Sequence, residues 1–499
     1  MNVWNTIHNH YVNSNNLRYL ILLGDKEDIP SYSKWVSYHN PIIDTCITHV
    51  YPSDLRYAIQ ETYSNHVPDI AQGRLSVSST SEALNVVNKI ISYEKTPPNY
   101  THKGIHCSAF EFKWAIPPSH NERGRAVYSC EEIRNALQNS YSKQITRAYG
   151  KYGTHRQPQL WNDDYYADGS PLPQDLLSFA WDGNTHDIIN GIDEGTHYVL
   201  YIAHSDSSKW RRPQFLKSDI DSLNTRSDNA YPIFFSMGCN SGLFEDGECL
   251  AEAFIRSVQK GGIAVFANSC TSYLGLAEAL TEGMFFSIWP DNGLIPQFPS
   301  FVSPTYTPMP QPVYRLGDIM NQGVMRLWDT FPNEYYHQEI LHLFGDPTMF
   351  FNTENPTSFN NVSITWEWDS IAVNIGSDNA TITFLDTLSN NVSSYIGSSA
   401  SFHGSTASIR LCISAHNKIP LILRSSDFDQ YIQNETISND RTYNARNVKM
   451  GTSVTNTKPH GNVVFSGGRT VISAKEVEIQ GETTINAGAE LEINTDTGN

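Results

Sequence analysis

The stretch Ala230–Phe254, AYPIFFSMGCNSGLFEDGECLAEAF, decides the fold. An apolar run from Pro232 carries Cys239 at its end, the turn formers Asn240, Ser241 and Gly242 follow, and from Cys249 the apolar spacing becomes helical. Strand, tight turn and helix in that order make up most of a crossover between parallel strands. Taken alone, a cysteine in such a place is a small buried hydrophobe. At the carboxyl end of a parallel strand it is also where a nucleophile would be held, because ligands of such sheets bind outside those ends.

The same alternation of apolar and amphipathic runs extends outward from this stretch to cover residues 1 to about 350, and predicts a parallel sheet flanked by helices. The clearest strands are LRYLILLGD (17–25), IHCSAFEF (105–112), HYVLYIAHS (197–205), PIFFSMGC (232–239) and GGIAVFANSC (261–270). Helices are expected over 80–95, 129–141 and 249–260. Strands this continuously apolar are covered on both faces. Their carboxyl ends single out Asp25, Glu111, His204, Cys239 and Cys270. Only one helix-like segment, MNVWNTIHNHYV, precedes the first strand, so an opening strand and helix are expected to be missing.

After LFGDPTMFFNTENPTSFNN the pattern changes to short alternating strands, VSITWEWDSIAVNI, ATITFLDT, ASIRLCISA and IPLILRS. That spacing predicts an immunoglobulin-like β-sandwich. The last stretch, from GNVVFSGG to LEINTD, repeats short β-rich pieces in the manner of solenoid rungs. The expected organisation is a first α/β subdomain over 1–100, a second over 101–355, the sandwich over 356–445 and a β-rich, solenoid-like tail over 446–499.

Composition narrows the function classes. The chain has 499 residues, 39% hydrophobic and 12% aromatic, which is globular and long enough for roughly two to four domains. A net charge of −18 with only 34 Lys and Arg argues against a nucleic-acid partner. The seven cysteines (46, 107, 130, 239, 249, 270 and 412) are odd in number and irregularly spaced, neither a disulfide framework nor a paired CxxC zinc site. No apolar run reaches the ~18 residues of a membrane span. The polar start lacks the apolar core of a signal peptide, so the chain is either intracellular or begins after, or without, an export signal.

His204 ends one strand and Cys239 the next, so a single crossover sets both at the same edge of the sheet. An imidazole there can keep a thiol deprotonated, and backbone N–H groups at the turn can bind an oxyanion. Other motifs carry less. Asp163, Asp164 and Asp168 in WNDDYYADGS could hold a structural calcium but lack the EF-hand spacing, and a solvated loop is the plainer reading. His8, His10, His337 and His342 do not have zincin spacing. Asp25 and Asp54 read as structural acids. No Walker or Rossmann phosphate loop is present.

The segments YIAHSDSSKW, FFSMGCNSGLF and ECLAEAFIRSVQKGGIAVFANS resemble the His block, the Cys block and the following helix and strand of gingipain-type cysteine peptidases. Upstream, YLILLGDKEDIP, YPSDLRYA and DIAQGRLSVSSTSEALNVVNKIISYEK resemble that family's first subdomain, and HLFGDPTM its closing motif. The resemblance implies a caspase-like fold over residues 1 to about 350, with Cys239 as nucleophile, His204 as general base and acid, and Glu111 orienting the imidazole. It also points to Trp210, Ser205, Cys270, Tyr273 and Glu278 around the substrate. Ser205 stands where the family has glycine. Neither segment matching the acidic S1 position of Arg- and Lys-cleaving members has an aspartate; Glu122 and Glu278 are the carboxylates there, and a basic P1 preference is not carried over. Protein or peptide substrates, no required cofactor, and secretion or surface attachment through export machinery are further implications of the resemblance. A binding protein or adhesin on the same fold is the alternative, for which Ser205 speaks. An intracellular α/β binding protein would show no convergence of Glu111, His204 and Cys239.

Overall fold

The computed structural model describes residues 3–14, 17–40, 45–61, 67–112, 122–152, 157–161, 170–226, 230–290, 311–332, 334–366, 370–376, 379–406, 408–445, 447–474 and 476–495. They form two compact units, residues 1–356 and 357–499.

In the first unit, helix α1 (Val3–Ser14) precedes β1 (Tyr19–Leu23), β2 (Ala71–Leu75), α2 (Thr80–Lys95) and β3 (Lys103–Phe112). Next come α3 (Arg125–Tyr141), β4 (Gln144–Lys151), α4 (Thr185–Asp193), β5 (Tyr198–Ile202) and β6 (Ile233–Ser236). They are followed by α5 (Leu250–Arg256), β7 (Ala264–Asn268), α6 (Leu276–Ile288), α7 (Leu316–Thr330), α8 (Tyr335–Ile340) and β8 (Leu341–Phe344). The sheet order is β1-β2-β8-β7-β6-β5-β3-β4, and the short strand Glu122–Arg123 pairs with the end of β3.

β3 to β7 are mutually parallel. β8, from the segment HLFGDPTM, pairs antiparallel with β7 and parallel with β2, so β1 and β2 run opposite to the other half. The sheet is therefore mixed rather than parallel throughout. This reversal takes Asp25, which follows β1, to the opposite edge from Cys239. There Asp25 pairs with Arg256 at 2.9 Å, while Asp54 pairs with the buried Arg74 at 2.7 Å.

Every residue of β5, β6 and β7 is buried. Alternate side chains feed two cores: Leu200, Phe235 and Phe266 on one face, Val199, Tyr201, Phe234 and Val265 on the other. Phe235 stacks on Phe266 at 4.7 Å, and Phe234 on Phe254 of α5 at 3.9 Å. Each such burial contributes roughly 1.5–3 kcal/mol, which is why the strands that carry the site are the rigid centre of the unit. Helix α2 matches its expected span, with Ser79 capping it by accepting from the Glu82 N–H at 3.2 Å. α5 is shorter than its pattern, because its turns after Arg256 give way to the bend that feeds β7.

The second unit holds a sandwich of a three-stranded and a four-stranded antiparallel sheet around Trp366, Ile371, Ile382, Phe384, Leu411 and Ile413. It continues into three parallel three-stranded sheets, the three faces of a β-solenoid in which each rung contributes one strand to every sheet. The first rung starts at Gln430, inside the 356–445 segment read as sandwich, and the described residues form three rungs. Among the described residues no helix is long and apolar enough to cross a membrane.

Candidate active site

The chain leaves β5 through Ala203 and His204 and folds back as a small ribbon, Ser205–Asp206 against Lys209–Arg211 against Gln214–Leu216. The Arg211 N–H donates to the His204 carbonyl at 2.9 Å, and the Tyr201 hydroxyl donates to the same oxygen. Trp210 lies flat on Tyr201, with centroids 4.5 Å apart and planes 4° apart, and donates its Nε1–H to Ser236 Oγ at 2.8 Å. This ring ties the histidine strand to the cysteine strand. It is wholly buried, so its placement in substrate binding is corrected: Trp210 is a strut.

Beyond β6, Met237 and Gly238 lead to Cys239. A Cβ on Gly238 would stand 2.2 Å from Ser205 Oγ and 2.6 Å from the Ala203 carbonyl oxygen, so only glycine lets the two loops touch. Asn240 follows in the left-handed region at φ 57°, which asparagine tolerates better than most residues. The Asn240 N–H donates to the Cys270 carbonyl and the Gly242 N–H to the Asn268 carbonyl, anchoring the turn on the end of β7. Ser205 is also buried, and its hydroxyl donates to the Cys239 carbonyl at 2.6 Å. Ser205 and Trp210 form a non-hydrogen-bonded pair, because the ladder bond runs between Arg211 and His204; the Ser205 N–H therefore points away from the ribbon.

His204 Nε2 lies 2.8 Å from Glu111 Oε1. That hydrogen bond holds the imidazole pKa above its ordinary value, against an opposing effect of burial. Tyr152, just past β4, sets its ring edge-on to His204 at 5.9 Å, and burial with the Glu111 charge pushes its hydroxyl up to about 12. The Cys239 thiol is half-buried, and burial pushes its pKa up. Its sulfur accepts from the Ser272 N–H at 3.3 Å and faces the Ser272 carbonyl at 3.4 Å.

Cys270 is buried in a cluster with Tyr51 and Ile340, its side chain beside Tyr336, so it backs the site rather than lining an open pocket. Glu278 is 2% exposed and paired with Arg125 at 2.5 Å; burial pushes its carboxyl up. It is spent on an internal ion pair, which corrects its expected contact with substrate. Tyr273 is 41% exposed and sits one residue from the Ser272 contact. Ser272 and Tyr152 escaped the sequence reading; for Tyr152 the available signal was its place just past the carboxyl end of a neighbouring parallel strand. The side chains of Asp163, Asp164, Asp168 and Glu122 lie outside the described residues. Among the described residues no group of three or more His, Cys, Asp and Glu side chains is set to hold a metal ion.

His204 and Cys239 thus stand beyond the ends of adjacent parallel strands of a mixed sheet, with the Glu111 carboxylate on the imidazole. The sequence model for peptidase family C25 matches residues 1–351, and the chain belongs to that family. It is 22% identical to Lys-gingipain W83 of Porphyromonas gingivalis over 227 residues, 45% of this chain and 11% of that relative. The chain thus spans about a tenth of the length of the curated relatives it matches. Among solved structures it is similar to the Arg-specific cysteine proteinase gingipain R (TM-score 0.60, 18% identity, covering 84% of this chain and 86% of that one). It is also similar to the complex of the pro- and mature domains of Porphyromonas gingivalis RgpB (TM-score 0.60, 16% identity, 84% and 88% covered).

Proposed function

We propose that the protein is a cysteine endopeptidase acting through Cys239 and His204, with Glu111 as support. The observation that carries this reading is the Glu111 to His204 contact of 2.8 Å at the strand end next to that of Cys239. With Nε2 engaged by Glu111, Nδ1 is the ring nitrogen that takes the thiol proton. The Cys239 sulfur then attacks the scissile carbonyl, forming a tetrahedral oxyanion toward which the Ser205 N–H is a candidate donor. His204 gives the proton to the leaving amine as the C–N bond breaks, leaving a thioester. Water, deprotonated by His204, attacks the thioester and releases the acid and the thiol. No cofactor enters these steps. Protein or peptide substrates and a secreted or surface location are part of the proposal.

A non-catalytic binding protein on the same fold is favoured by one observation: the thiol donates its hydrogen bond to the Ser272 carbonyl. The two readings part under a thiol-directed activity label. The peptidase reading predicts that His204→Ala lowers labelling of Cys239 at neutral pH at least tenfold. Equal labelling in both proteins sinks the dyad. Cleavage of a peptide library by the purified protein then reads the P1 preference.

A further inference from the structure

The loop between β7 and α6 is hydrogen-bonded to the sulfur through Ser272, and both neighbours of Ser272 are held by α8. The Tyr336 hydroxyl donates to the Thr271 carbonyl at 2.7 Å, and the Tyr273 N–H donates to His337 Nε2 at 2.9 Å. The His337 side chain is fully buried, and its Nδ1 lies 3.1 Å from Glu334 Oε1, which also caps the helix by accepting the His337 N–H at 3.2 Å. An Nε2 that accepts a backbone N–H must carry no proton, so the proton of the neutral ring is on Nδ1 and is donated to Glu334. Glu334 Oε1 thus accepts from both the ring and the backbone N–H of His337, which fixes the ring's orientation. α8 is itself fixed by the Tyr51 hydroxyl on Glu339 at 2.6 Å and by the Ser269 N–H on the Ile340 carbonyl at 2.8 Å.

We infer that His337, oriented by Glu334, is a positioning residue for the nucleophile: it holds the Thr271–Tyr273 loop so that the Ser272 N–H stays on the Cys239 sulfur. An N–H donated to sulfur favours the thiolate over the thiol, and it opposes the burial that disfavours the charge. His337 therefore acts on Cys239 through one intervening residue. This rests on the reading of Cys239 as the nucleophile.

The test is the rate of Cys239 alkylation by iodoacetamide against pH, in the full chain, with the Cys239 peptide resolved by mass spectrometry. His337→Leu removes the acceptor for the Tyr273 N–H; His337→Gln restores one through its carboxamide oxygen. The inference predicts that His337→Leu moves the alkylation midpoint up by about one pH unit, roughly a tenfold loss of rate below it, and that His337→Gln recovers the rate to within about threefold of wild type. An unchanged midpoint in His337→Leu, or equal shifts in both variants, overturns it. Should His337→Leu fail to fold by circular dichroism, Tyr336→Phe releases the other end of the loop, and an unshifted midpoint there overturns it equally. Failure of the peptidase reading shows separately, as alkylation that His204→Ala leaves unchanged.

Discussion

At the scale of single residues, Glu111 and Gly238 make the sharpest claims. The Glu111 carboxylate stabilises the imidazolium of His204, so Glu111→Gln lowers the His204 midpoint toward the ordinary value near 6.5. The stability this pair contributes is fully present below the ordinary histidine value and is lost as pH rises through the raised one. It is small, because the His204 side chain is 56% exposed. A nuclear magnetic resonance titration of the His204 ring reads the shift, and coincident curves for wild type and variant would show that Glu111 does not govern the imidazole. Gly238→Ala drives a methyl group into Ser205 Oγ and a backbone carbonyl. It should cost about 1–3 kcal/mol by denaturant unfolding and displace Cys239 enough to cut thiol labelling severely. The strand-end positions of His204, Cys239 and Glu111 were legible because each ends or nearly ends an apolar run. Trp210 was misplaced because its burial depends on the ribbon folding back over Tyr201, which no local pattern reveals. Ser272 and His337 were invisible for a related reason: their contacts join segments far apart in the chain.

At the scale of elements, the helix behind the nucleophile turn is held at its carboxyl end by an unusual cap. Lys89 of α2 is 5% exposed, and its Nζ shares its three N–H donors among the carbonyls of Phe254, Ile255, Ser257 and Lys260 at 2.9 to 3.4 Å. These are the carbonyls that a helix end and the bend after it leave without intrahelical partners. When protonated, Lys89 also meets the negative end of the helix dipole, although burial pulls its pKa down to about 7. Lys89→Met keeps the bulk and removes the donors, so it should destabilise the first unit by about 2–4 kcal/mol, measured by urea unfolding. A loss under 0.5 kcal/mol would mean that water serves those carbonyls as well. The periodicity announced both helices joined by this contact, and α2 to the residue. It did not announce the reversal of β1 and β2, since direction in a sheet is set by which strand fills the gap. Here that strand is β8, four residues long and too short to carry a period. The first solenoid rung was missed for the same reason: its strands Gln430–Ile432 and Glu435–Ile437 have three residues each.

At the scale of the whole molecule, the apolar cores divide cleanly. Among the described residues, the buried side chains of the two clusters that sandwich the central sheet lie between Leu75 and Phe351, and those of the sandwich and solenoid clusters between Trp366 and Ala474. The family match likewise ends at residue 351, just short of the division at Pro356. A unit of that size with its own closed cores has enough buried apolar surface to fold without the other. A chain ending after Pro356 should therefore be folded and cooperative. It should label at Cys239 at a rate within about twofold of the full chain, because among the described residues the groups bonded to the sulfur and the imidazole come from the first unit. Calorimetry of the full chain should resolve more than one transition, one of them reproduced by the shortened chain alone. A shortened chain that aggregates, or that labels no faster than His204→Ala, would show instead that the sandwich and solenoid are needed to keep the site in working order.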